Sequence, residues 1–93
     1  MPQDDDKGEL PGVAFLAYVL SALVEDPDEL SIAASKDSLG ILLTVSVSER
    51  DMGKLIGKGG QTVKALRVLL RIIGGNTGER INLKILEPAK VIV

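Results

Sequence analysis

The sequence predicts an α+β domain in the order helix, strand, strand, helix, helix, strand, with a three-stranded mixed sheet and helices packed on one face. Three observations predict it. A chain of 93 residues, 45% hydrophobic and 26% charged, has the size and apolar content of one small folded domain and is too apolar for a disordered chain. Apolar residues run at helical spacing in three places and alternate with polar ones in three others. The second and third alternating runs are separated by two helical runs, a crossover long enough to make those strands parallel and right-handed in connection.

Each element has its own signal. Residues 1–12 are acidic and polar and end in Pro11-Gly12, so a disordered tail is expected. The run VAFLAYVLSALVE, Val13 to Glu25, lacks Gly and Pro and reads as the first helix, which stops by Asp26 because Pro27 follows. It is apolar nearly all round, so Phe15 and Tyr18 are expected in the core. Leu30, Ile32 and Ala34 alternate with serines and an alanine. After the turn Lys36 to Gly40 come Ile41, Leu43, Val45 and Val47, which makes an antiparallel hairpin. Ser48 with Asp51 three residues on is a capping-box spacing, and a short helix from Glu49 to about Ile56 follows. Gly57 ends it, and a second helical run covers Gln61 to Ile73. The glycine-rich stretch Gly74 to Gly78 breaks the chain before a third strand with Ile81, Leu83 and Ile85 on one face. Glu87-Pro88 closes the domain, which leaves 13–87 as the folded unit and 88–93 as a C-terminal tail.

Composition removes many functions. With no Cys and no His, the chain has no disulfide, no Cys or His zinc ligand, no thiol nucleophile and no imidazole base, so no enzyme is expected. Glu25, Asp26, Asp28 and Glu29 surround Pro27 without further spaced ligands and read as a polar turn, so neither a metal nor a cofactor is expected. Pro11 to Val24 is too short to span a bilayer, and its acidic upstream flank is unlike a secretory signal. The expected compartment is the cytoplasm.

The net charge of −2 conceals a division. Residues 1–49 carry ten acidic and two basic side chains, whereas residues 50–93 carry nine basic and three acidic. From Arg50 to Arg71 there are six basic residues, Lys54 among them, and one acid. On a helix Lys64, Arg67 and Arg71 share a face. A solvated helix side explains such a stripe when it stands alone. Here it begins at Gly57-Lys58-Gly59-Gly60, a turn between two helices whose glycines leave backbone N–H groups unshielded beside a helix N-terminus. An anion such as phosphate fits there. The spacing rules out a P-loop, since three residues rather than four separate Gly53 from Gly57 and Gly59 follows Lys58. It also rules out a dinucleotide fingerprint, which would need Gly where Thr62 stands.

The string Ile56-Gly57-Lys58-Gly59-Gly60 between two helices resembles the I-G-x-x-G signature of the KH domain, and the element order looks like its type II form. Over DMGKLIGKGGQTVKALRVLL the chain is similar to the small bacterial single-KH proteins of the KhpA family. The resemblance implies an RNA-binding protein, a post-transcriptional regulator or RNA chaperone, whose loop Gly57, Lys58, Gly59 and Gly60 runs along about four single-stranded nucleotides. It implies an aliphatic groove walled by Met52, Leu55, Ile56 and Val63 and by the third strand. In that groove Gly74 to Gly78 would be the variable loop, and Arg80, Asn82 and Lys84 would be polar edges. Scarcity of aromatics, Phe15 and Tyr18 alone, argues against stacking readers such as RRM and OB folds.

The alternative is a protein-interaction module with RNA binding secondary. In the third helix Ala65, Val68 and Ile72 extend the apolar positions Val63, Leu66, Leu69, Leu70 and Ile73 to an arc of roughly 220°, wider than packing on one sheet requires. Either the first helix covers the surplus or a partner does. The family resemblance implies self-pairing to a homodimer and pairing with a second KH protein of the KhpB or Jag type.

Overall fold

The computed structural model describes residues 10–86. Residues 1–9 of the expected tail 1–12, the expected C-terminal tail 88–93 and the end of the domain at Glu87 lie outside the described residues. The elements are α1 (Val13–Leu23), β1 (Ser31–Asp37), β2 (Gly40–Ser46), α2 (Glu49–Ile56), α3 (Gln61–Thr77) and β3 (Ile81–Leu86). The order is the predicted α-β-β-α-α-β. β2 is central, antiparallel to β1 with Ala34 opposite Leu43, and parallel to β3 with Leu43 opposite Leu83.

The period-2 alternation does its expected work in β2. Ile41, Leu43 and Val45 are fully buried on the helix side, while Leu42 on the other face is exposed. Leu16 and Leu20 from α1, Met52 and Leu55 from α2, and Val63, Leu66 and Leu70 from α3 close over that face together with Ile81 and Leu83. Each such aliphatic side chain contributes roughly 2 kcal/mol on leaving water. β1 adds only the half-buried Ile32, as befits an edge strand.

Four expectations are corrected. The folded unit begins before Val13: Leu10 packs on the core and its carbonyl accepts the Val13 N–H. α1 buries one stripe rather than several sides; Phe15 packs on the core, but Tyr18 is 77% exposed. α1 also stops at Leu23, before the acidic turn. The stretch Gly74 to Gly78 is not a loop, because α3 continues through Gly74 and Gly75 to Thr77 and ends on Gly78 in the left-handed region. Gly74 is there for close approach: a Cβ on it would collide with the Glu79 carbonyl and crowd Ile81 where the chain doubles back into β3.

The capping box forms by half. Ser48 Oγ accepts the Asp51 N–H at 3.1 Å, as expected of an N-cap. The Asp51 carboxylate, fully buried, turns away from its own helix and accepts the Glu25 and Asp26 N–H groups instead. The acidic turn is thereby tied to α2. Its outer side chains complete the tie, with Arg50 on Asp26 at 2.9 Å and Lys54 on Glu25 at 2.7 Å. Among the described residues there is no cluster of metal-ligating side chains and no helix long and apolar enough to cross a membrane.

Candidate nucleic-acid interface

The site grows from the way α2 ends. Gly57 takes φ 73°, ψ 176°, and donates its N–H to the Gly53 carbonyl at 2.9 Å, closing the helix. Lys58 to Gly60 then form a single tight turn, with Gly59 and Gly60 at φ 62° and 76°. Two consecutive residues in the left-handed region are cheap only for glycine. Lys58 and Gly59 project into solvent, and a Cβ on Gly59 or Gly60 would touch nothing. α3 starts directly behind with no side-chain cap, so the positive end of a 17-residue helix faces the turn.

Beside the turn lies a groove of about 410 Å³ between α3 and β3. Ile56, Val63, Leu83 and Ile85 give it an aliphatic floor, Gly60 an end wall, and Lys64, Arg67 and Lys84 a charged rim. β3 is the sheet edge here. The Arg80 carbonyl bonds inward to the Ile41 N–H at 2.7 Å. By alternation the backbone groups of Ile81, Leu83 and Ile85 face outward. One of them is occupied, since Arg67 Nη2 donates to the Leu83 carbonyl at 3.3 Å.

The structure brings most expected site residues together and separates a few. Gly57, Lys58, Gly59 and Gly60 with Ile56, Val63, Lys64 and Arg67 converge on the turn and groove. Met52 and Leu55 do not; both lie in the core, because α2 presents them to the sheet rather than to the groove. Lys54 points the other way, to Glu25 and to the Leu23 carbonyl. Arg71 stands one turn beyond the groove, with Arg80 and Asn82, in a neighbouring cleft. Leu83 and Ile85, which the sequence places on the apolar face of the third strand without assigning them to the site, are the residues through which that strand walls the groove.

Charge follows the same division. Arg50 and Lys54 are neutralised by the acidic turn. Lys58, Lys64, Arg67, Arg71, Arg80 and Lys84 form no ion pair with a described residue. The acidic half of the sequence therefore cancels the cations of α2 and leaves those around the groove in place.

The family model for the KhpA/KhpB KH domain matches residues 13–85. The chain belongs to that family. Among its relatives, the RNA-binding protein KhpA of Chlamydia pneumoniae is 40% identical over 73 residues, 78% of this chain and 94% of that protein. The RNA-binding protein KhpA of Streptomyces coelicolor is 37% identical over 68 residues, covering 73% and 85%, and that of Listeria monocytogenes serovar 1/2a is 33% identical over 69 residues, covering 74% and 91%. The match takes in every secondary-structure element except the last residue of β3. It thus includes the turn and both walls of the groove that this KhpA/KhpB domain forms.

Proposed function

We propose that the chain is a non-catalytic binder of single-stranded RNA that holds about four nucleotides, acting in the cytoplasm as a post-transcriptional regulator or RNA chaperone. The observation that carries this reading is the groove itself. A glycine turn beside an uncapped helix end offers a place for the sugar-phosphate backbone. Next to it, the aliphatic floor of Ile56, Val63, Leu83 and Ile85 offers a surface for bases, and the outward backbone groups of β3 offer them hydrogen bonds. The relatives named as RNA-binding proteins support the same ligand.

A second activity rests on a separate observation. Ala65, Val68, Leu69 and Ile72 of α3 are exposed, with Ile72 at 57%, so α1 does not cover them, and Leu69 joins this row rather than the core. The row suits a second copy of the chain or a KhpB-type KH partner.

The test of RNA binding replaces Lys58 and Gly59 together by Asp, which puts negative charge where phosphate would lie. Gly57 and Gly60 stay to keep the turn, and Asp tolerates the left-handed angles of Gly59 better than most residues. The double variant should keep its thermal transition and lose RNA binding in titrations. Parent-like binding by the folded variant refutes the site.

A further inference from the structure

A second cleft, about 530 Å³, continues the groove along α3 toward its C-terminal end. Its charged lining is Arg67, Arg71 and Arg80 against one acid, Glu79. That acid is paired: Lys36 Nζ stands 2.8 Å from its carboxylate. Asn82 adds an amide, and Gly75 leaves the helix wall without a side chain. Arg67 and Leu83 line both cavities, so the two adjoin at the Arg67 side chain, which bridges from α3 to the Leu83 carbonyl.

The geometry points to this arginine cleft as a second nucleotide subsite, which takes the backbone of the RNA as it leaves the four-nucleotide groove. The assignment rests on the RNA-binding reading above. Three guanidinium groups with one neutralised carboxylate form a strongly anion-selective cleft, and planar guanidinium forks bind phosphate oxygens in pairs. Lys64 and Arg71 lie seven positions apart on α3, about 10 Å of helix, so one strand can pass over the Arg67 side chain from the first cation to the second without turning. The cleft has room for roughly two further nucleotides. The low aromatic content fits, because arginine supplies both charge and a flat face on which a base can stack.

The experiment titrates the full chain with oligouridylates of four and seven nucleotides. The parent is compared with Arg71→Ala/Arg80→Ala, in which both substituted side chains are exposed and outside the groove. The tetramer should bind parent and variant within about twofold, while the heptamer should lose roughly tenfold in the variant. Extra binding registers on the heptamer remain in both proteins and drop out of the comparison. In the parent, amide resonances of Gly75, Glu79 and Asn82 should shift with the heptamer and stay in place with the tetramer. Equal losses at both lengths, or unshifted resonances, overturn the subsite while leaving the groove intact. Failure of the groove reading looks different, as parent-like tetramer binding by the Lys58→Asp/Gly59→Asp variant. Should the alanine pair melt early, Arg71→Gln/Arg80→Gln keeps most of both stems and gives the same comparison.

Discussion

The Asp51 carboxylate grips the Glu25 N–H with both oxygens, at 2.9 and 3.0 Å, across 26 residues of sequence. Asp26 adds a second N–H at 2.9 Å and Ser48 Oγ lies at 3.3 Å. One buried anion thus fixes the exit of α1 to the start of α2, and α2 delivers Gly57 to the turn. The position of the turn depends on this tie.

Replacing Asp51 by Ala should therefore destabilise the domain strongly for a single polar substitution. Two backbone N–H groups would be left without an acceptor in a closed site, and hydrogen bonds to a charged group are among the stronger kind. We expect the thermal midpoint to fall by roughly 10 °C, measured by circular dichroism. Asp51→Asn, which keeps one acceptor oxygen, should fall less. A midpoint within about 2 °C of the parent for the alanine variant refutes the role given to the tie.

Acid should weaken the same tie. Burial acts to raise the Asp51 pKa, but the N–H groups of Glu25 and Asp26 and the Ser48 hydroxyl outweigh it and hold the carboxyl below its ordinary value. Asp26 is held low by its hydrogen bond from Arg50 and then by Ser48. Groups with a lowered folded pKa contribute stability that is complete above the unfolded pKa, about 3.9 for Asp, and is lost as pH falls through the folded value. The gap in midpoint between parent and Asp51→Asn should be constant near neutrality and shrink below about pH 4. A gap unchanged down to pH 2 contradicts it.

The elements were legible because each has a local cause. The Glu49–Ile56 helix could be bounded at both ends from Ser48 and Gly57, and the alternation of Ile41, Leu43 and Val45 named the buried face of β2. The departures arise where a residue answers to something distant in sequence. Asp51 has the spacing of a cap and serves another segment. Gly74 has the look of a breaker, yet it lies inside a helix because the returning chain passes close by. Met52 and Leu55 carry the right chemistry for a groove wall, and only the docking angle of α2 decides that they face the core. The turn was legible because its glycines answer to local backbone angles.

Gly57 should be less replaceable than its neighbours. At φ 73°, ψ 176° it occupies a region nearly closed to other residues, and an added Cβ would collide with the Thr62 side chain and lie 3.0 Å from its backbone N. Gly57→Ala should lower the melting point and distort the turn, weakening RNA binding. Gly59→Ala meets no neighbour and should cost only about 1 kcal/mol of backbone strain. Comparable melting points for the two alanine variants contradict this ranking.

Salt should affect a tetranucleotide modestly. About three phosphate contacts at roughly 0.7 each give a slope of log K against log salt near −2. A slope beyond about −6 for so short a strand requires a much broader charged surface and a docking mode other than the groove.

Self-association should run through α3 without closing the groove. Val68 is 47% exposed and Ile72 57%, and with Ala65 and Leu69 they form an apolar row centred roughly 110° around the helix from Lys64, Arg67 and Arg71. Two copies meeting on this row would keep both grooves open, and a single strand crossing both would gain through effective concentration what one small groove lacks in contact. Because the row lies at the surface, Val68→Asp removes no core contact and should cost the folded monomer little. Sedimentation at micromolar concentration should show a dimer for the parent and a folded monomer for Val68→Asp, with tetranucleotide affinity unchanged and binding of a strand long enough to reach two grooves reduced at least tenfold. A strictly monomeric parent, or a Val68→Asp chain that remains dimeric, shows that α3 is not the pairing surface.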